Sequence, residues 1–294
     1  MEEKSSSSLT LNEFYNQTVV VGKGTGTGVF LRLALWYFEY CTYVASAKTN
    51  AKSLRQIYRE TLSWQKIPDL HHSFWKTGFL QTIGKSASNM GVLFWVDHYY
   101  SHLSPIAKGL LGSALSGPFE TAATSWSEYK KVQTFLKMQG RSSILVKNML
   151  APEFRRIVSA TFLRTMYTGP TTFCGMYSFI ATATPLFPVS MQDSLLLKAI
   201  LAGTVNIPIQ FVNMPIINLH TYVLSNPQQT TRNLIRSFIK EHSWYDLFRG
   251  TLPRTIHRSL HYGIALSVSS FFAKQHRRQS ENQQENNFNP PKPK

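Results

Sequence analysis

The stretch SALSGPFETAATSWSEYKK, Ser113 to Lys131, decides how the rest of the chain is read. It opens on small residues four apart, Ser113 and Gly117, and closes on an aromatic, an acid and a base: Trp126, Glu128 and Lys131. Small residues at that spacing let two helix backbones approach closely. Eighty-nine positions earlier stands GTGTGVFLRLALWYFEYCT, Gly24 to Thr42, and eighty-nine positions later AGTVNIPIQFVNMPIINLH, Ala202 to His220. In register, Gly24/Gly28, Ser113/Gly117 and Ala202/Asn206 coincide. So do Tyr37, Trp126 and Pro215, then Glu39, Glu128 and Ile217, then Thr42, Lys131 and His220. A fixed period in triplicate marks an internal repeat, to be read before any single element.

Charge is distributed unevenly around these windows. The 294 residues carry 31 Lys and Arg against 15 acids, a formal net charge of +16, which calls for an anionic partner. Yet residues 165–192 and 199–231, runs of 28 and 33, contain no Asp, Glu, Lys or Arg. A helix needs roughly 20 mostly apolar residues to cross a bilayer. Both runs exceed that, and both hold Thr, Ser, Asn and Pro, as a helix with one lipid face and one wet face would. Buried helices of a soluble bundle are the plainer alternative. Cys41 and Cys174 are the two cysteines, too few for a disulfide framework or a zinc set. MEEKSSSSLTLNEFYNQ lacks a basic segment followed by an apolar core, so it reads as no secretory signal.

The triplicate pattern resembles the mitochondrial carrier family, whose odd-numbered helices carry Pro-x-[Asp/Glu]-x-x-[Lys/Arg] once per repeat of about a hundred residues. In that family a short amphipathic helix follows, then aromatic-[Lys/Arg]-Gly opening the next span. The third repeat follows this order best, in TTRNLIRSFIKEHSWYDLFRGTLPR after its odd helix. The resemblance runs from about residue 19 to 274. It implies an all-α fold: a six-transmembrane-helix, mitochondrial-carrier-like bundle with three pseudo-symmetric repeats around a central cavity. The expected division is a polar tail 1–18, repeats 19–102, 105–184 and 190–274, and a disordered polar tail 275–294. Amphipathic helices on the matrix side are expected near Lys52 to Trp64, Ser143 to Leu150 and Thr231 to His242. Tyr37 and Trp126 replace two of the three kinking prolines, which puts the local helix geometry in question.

The same resemblance assigns roles to residues. Acid and base of neighbouring odd helices would close the matrix side, pairing Glu39 with Lys131 and Glu128 with His220, and setting Ile217 against Thr42. On the cytoplasmic side no complete pair remains, since Asp97 is followed by Tyr100, Tyr177 by Ile180 and Ser270 by Ala273 at the relevant spacing. The expectation is a resting state open to the cytoplasm and a bias in transport direction. The substrate contacts would be Gly84-Lys85, Arg164-Thr165 and His257-Arg258, so that Lys85, Arg164 and Arg258 present one cation per repeat at one depth. Cations within a span are costly and face a bundle interior or water; helix ends that snorkel to headgroups are the alternative. Arg164-Thr165 resembles the carboxylate-type contact, whereas FWKTGFLQTI resembles adenine nucleotide carriers, so nucleotide and di- or tricarboxylate both stay open. The Arg-Arg-Arg-Met-Met-Met run of ADP/ATP exchangers is absent, LHTYVLSNPQQ standing there instead.

Phe248-Arg249-Gly250 resembles the family's lipid-binding signature, with Trp75-Lys76 a partial copy and Arg155-Arg156 keeping only the charge. The free amides of a helix start attract phosphate, and cardiolipin or another acidic lipid is the implied partner. The implied molecule is a monomer in the mitochondrial inner membrane, with termini toward the intermembrane space or cytosol and no nucleic-acid partner. A carrier encoded by a pathogen and delivered to a host cell is a further reading of the degenerate motifs.

Other signals carry less. GKGTGTG (Gly22 to Gly28) lacks the phosphate-loop pattern. Asp97, His98 and His102, and also His257 and His261, lack a third metal ligand at fixed spacing. No nucleophile–base set stands out, so neither enzyme activity nor a cofactor is expected. Two rival classes are a non-transporting, carrier-like membrane adaptor and a soluble basic nucleic-acid binder. The membrane readings predict that the chain sediments with membranes and is released by detergent but not by high salt. Full release by salt alone would favour the soluble class.

Overall fold

A computed structural model describes residues 11–46, 68, 71–72, 74–138, 146, 148–241 and 243–288. The helix expected near Lys52 to Trp64 lies outside the described residues, as does half of the one near Ser143 to Leu150, whose described residues 146 and 148–150 are not helical. The protein is all-α, with no strand among the described residues.

The helices form six long rods. The first is α1 (Leu11–Ala34) followed by α2 (Trp36–Ser46). They are separated only at Leu35, whose carbonyl accepts from the amides of both Phe38 (3.0 Å) and Glu39 (3.3 Å). That three-residue bond tightens the turn and interrupts the rod without a proline. The second rod runs from a π-helical turn at Phe74–Gly78 through α3 (Phe79–Ser86), a second π turn at Ala87–Gly91, and α4 (Val92–Tyr99). Each π turn takes in an extra residue, a distortion common at functional sites. The third rod is α5 (Pro105–Met138), and Trp126 passes within it unbroken. Pro105 opens it, where a missing amide is harmless, and the Ser104 hydroxyl accepts from the amide of Ala107 (3.3 Å).

The fourth rod, α6 (Pro152–Ala183), starts likewise on a proline, with Glu153 in its first turn. The fifth, α7 (Leu195–Ser225), carries Pro208 and Pro215 internally. Then α8 (Thr231–Glu241) buries Leu234 and Phe238 while Arg232, Arg236 and Lys240 stay outside. The sixth rod is α9 (Thr251–Phe288). It enters the stretch expected to be disordered from 275, because no Gly or Pro interrupts residues 264–289. Similarly, α1 begins at Leu11, inside the expected tail, with no helix breaker before Gly22.

Each rod packs on its neighbours in chain order, and the sixth returns to the first, so the rods close a ring. In addition α2, α5 and α7 touch one another, so the C-terminal ends of the odd rods converge. Around that convergence an aromatic core gathers Trp36, Tyr40, Phe74, Tyr129 and Phe135. A second core, nearer the other end, joins Leu31, Met90, Phe173, Met176, Ile209 and Tyr262 from five rods. Among the described residues, Leu195–Ser225 is the one helix long and apolar enough to cross a membrane by composition alone. The other rods carry more charged residues, some buried, such as Glu120 and Arg164, and some exposed, such as Lys23 and Lys137.

The small residues of α1 have separate roles. A methyl group at Gly24 would sit 2.5 Å from the Met90 carbonyl oxygen, and one at Gly28 2.8 Å from the Ser86 Cβ, so rods one and two meet backbone to backbone. A methyl at Gly26 would meet nothing within 4 Å. Gly24→Ala should therefore lower stability by about 1–3 kcal/mol through overpacking. Gly26→Ala should be neutral or stabilising by up to about 1 kcal/mol, from helix propensity. Thermal unfolding of the detergent-solubilised protein separates the two, and equal shifts would contradict the packing.

Candidate functional site

Where the odd rods converge, seven charged side chains are buried together: Arg32, Glu39, Lys85, Glu120, Glu128, Lys131 and Arg164. Helical spacing puts them there. Glu120, Thr124, Glu128 and Lys131 follow one face of α5 at steps of four, four and three. Arg32 and Glu39, seven apart, share a face of rod one across the interruption at Leu35.

The Lys131 ammonium donates to the Glu39 carboxylate at 2.7 Å, joining rods three and one. Glu128 has a different environment from the one its motif implies. Its Oε1 accepts from both Lys85 Nζ and Arg164 Nη1, each at 2.9 Å. His220 is buried, and its Nε2 lies 3.1 Å from the Thr161 hydroxyl. The physical reason is charge: Lys85 and Arg164 bring two cationic groups to the buried carboxylate, whereas the His220 ring is engaged by Thr161. Ile217 and Thr42 are both buried, and the Thr42 hydroxyl donates to the Phe38 carbonyl (2.9 Å).

Lys85 and Arg164, two of the three expected substrate cations, are thus engaged by acids of rod three. Arg164 grips two of them, reaching Glu120 Oε1 with Nη2 at 2.7 Å. The second Glu120 oxygen accepts from Asn89 Nδ2 at 2.8 Å, in the π turn of rod two. Arg258, the third cation, stands otherwise. It donates to the Tyr262 hydroxyl (3.3 Å) and lies 5.6 Å from that ring's centre. The third repeat has Ile217 where the others have an acid, so its cation meets no carboxylate of the same series. Thr165 shares a 3.0 Å hydroxyl contact with Thr121, and His257 is buried in α9.

Arg164, Thr165 and Arg258 line a cavity together with Glu120, Asn89 and Tyr262. Gln210 and Arg254 also face it, linked by a 3.0 Å hydrogen bond from the arginine Nε. The open space is about 30 Å³, enough for about one or two waters.

At the opposite end the even rods are tied. Tyr177 donates its hydroxyl to Asp97 Oδ1 (2.9 Å), and Ser269 donates to Asp97 Oδ2 (3.2 Å). Rods two, four and six therefore meet through one carboxylate and two hydroxyls, so this end is not open. This closure carries no acid–base motif, because neither hydroxyl is charged and Ser269, rather than Ser270, makes the contact. Glu120 and Arg32 were missed as well. The available signal was a lone charge within an otherwise uncharged part of each window, on the same face as the gate acid.

The loop before α9 has its own geometry. Asn218 Nδ2 lies 2.6 Å from the Leu247 carbonyl and within 3.3 Å of those of Asp246 and Arg249. Gly250 adopts φ 78°, a conformation that favours glycine, and delivers the chain into the start of α9. Arg249 contacts Asp246 at 3.1 Å, and Phe248 packs on Phe211 with ring centres 6.3 Å apart. Trp75 and Lys76 are exposed at the start of rod two, with the Trp75 indole donating to His71 (3.1 Å). Arg156 instead spans three carbonyls, those of Pro227, Gln228 and Gln229. Among the described residues no group of three or more His, Cys, Asp or Glu is placed to hold a metal ion.

No family model and no curated protein matches the chain.

The Glu39–Lys131 contact can be weighed by a double-mutant cycle. Glu39→Gln and Lys131→Gln each remove the shortest ion contact of the buried partner left behind, at a cost of up to about 3–5 kcal/mol. The double variant should recover a coupling of about 0.5–3 kcal/mol in thermal unfolding. Strict additivity would mean that the pair contributes nothing specific.

Proposed function

We propose that the chain is a membrane transporter of carrier type, moving an anionic metabolite across the mitochondrial inner membrane by alternating access. The observation that carries this reading is the inverted distribution of polarity. Arg32, Lys85, Lys131 and Arg164 are buried, while Phe30, Leu80, Leu110, Phe119, Leu163 and Phe211 are exposed on the outer faces of five rods. A water-soluble bundle puts such groups the other way round, and an apolar exterior of this extent fits lipid. Six rods in a closed ring, with a charged layer where the odd ones meet, suit a cavity that opens to either side in turn.

The substrate is an anion, either a nucleotide such as ATP or a di- or tricarboxylate. Four buried cations face three buried acids in the network, and Arg254 and Arg258 add two more at the cavity, for an excess of three positive charges. The αL glycine at 250 presents the amides at the start of α9 next to Arg249, which suits a cardiolipin phosphate. The chain acts as a monomer, without covalent chemistry. The cation excess and the orphaned donors inside favour transport over an adaptor role. The 30 Å³ of space and the closure of both ends favour the alternative, a non-transporting membrane adaptor.

Uptake of labelled ATP, malate and citrate into cardiolipin-containing liposomes separates the two. The transport reading expects saturable uptake of at least one anion, lost in a Lys85/Arg164/Arg258 triple alanine variant that still folds. Absence of uptake from a monodisperse wild-type preparation would favour the adaptor.

A further inference from the structure

We propose that a second oxyanion subsite lies between rods one and six, where Arg32, His257 and His261 receive a carboxylate or phosphate group of the transported anion. The inference rests on the anion-transport reading and adds to it how many anionic groups the substrate carries.

Arg32 is only 1% exposed, and its Nε and Nη2 have no hydrogen-bond partner. Its Nη1 lies 3.9 Å from Glu39 Oε2, beyond hydrogen-bond reach. His261 is fully buried with neither ring nitrogen partnered, and the buried His257 leaves Nε2 unpartnered. The two rings are 5.8 Å apart on successive turns of α9. Each orphaned buried polar group costs about 1–3 kcal/mol, and more when charged. Folded interiors keep few of them.

The chemistry of the orphans names the missing partner. A guanidinium donates only. Imidazoles alone would suit a metal ion, but a guanidinium beside them repels a cation. An acceptor with several lone pairs satisfies the guanidinium and the N–H of each ring, and an oxyanion is that acceptor. Arg258 and Tyr262, which line the cavity, directly follow His257 and His261 in α9, so the two groups of donors are adjacent along one helix. A substrate with two or more oxyanionic groups can place one at Arg164 and Arg258 and another at Arg32. Inorganic phosphate fills one position only.

The test is ligand-induced thermal stabilisation of the full chain in detergent, titrated with ATP, citrate and inorganic phosphate. ATP or citrate should bind the wild type more tightly than phosphate does, and which of them wins identifies a phosphate or a carboxylate end. Arg32→Gln should weaken the better ligand about tenfold or more, and Arg32→Lys should restore part of the loss. If Arg32→Gln is not monodisperse, Arg32→Lys and His261→Asn carry the test, and each should weaken the same ligand. Wild-type affinity in the Arg32 and His261 variants, with loss in the Lys85/Arg164/Arg258 variant, overturns the subsite and leaves anion binding standing. No stabilisation of the wild type by any of the three overturns both.

Discussion

Seven charges lie inside the ring of rods, and the cost of keeping them there organises the rest of the molecule. An isolated ion in a low-dielectric interior costs several kcal/mol even after relaxation, so each must find a counter-charge or a hydrogen-bond partner. Glu39 binds rod one to rod three through Lys131, and Glu128 binds rod three to rods two and four. The rods could not exchange neighbours without stranding one of these groups. Close packing of Gly84 on Ala123 and Thr124 brings rod two to rod three, where Lys85 reaches Glu128.

The departures from a regular threefold pattern follow from the same constraint. A histidine at position 220 leaves the acid of the second repeat without its expected cation. Lys85 and Arg164 take that place, although their own positions on the even rods suit a ligand. On the transport reading, the interior would use one set of cations for closure and for recognition. An entering anion then competes with Glu120 and Glu128 for Arg164, and binding becomes an exchange of one oxyanion for another. That exchange offers a physical route by which substrate could loosen the charged layer.

Much of this arrangement was legible in the chain. Three windows at equal spacing gave the repeat, and the acid–base columns within them located Glu39, Glu128 and Lys131 in one layer. Helical periodicity carries such information because residues three, four and seven apart share a face. The pairing of Glu128 was not legible, since Lys85 and Arg164 come from other rods and only the assembled ring shows which cation is nearest. Nor was the junction at Asp97, whose partners are hydroxyls of Tyr177 and Ser269, residue types too common to stand out. The length of α9 was misjudged for a local reason. Composition rich in Asn, Gln and Glu suggests disorder, yet without Pro or Gly it also permits a helix to continue.

The two ends of the molecule are held by unlike chemistry, and that difference has a kinetic meaning. Separating the odd rods requires water to reach a layer of three carboxylates and four cations. Separating the even rods at Asp97 exposes one carboxylate and two neutral hydroxyls, which exchange a protein partner for water at little net cost. Spontaneous opening should be the more frequent at the Asp97 end, and the charged end should wait for a visitor that brings its own counter-charge. On the transport reading, one loose end and one that must be unlocked set unequal waiting times on the two sides.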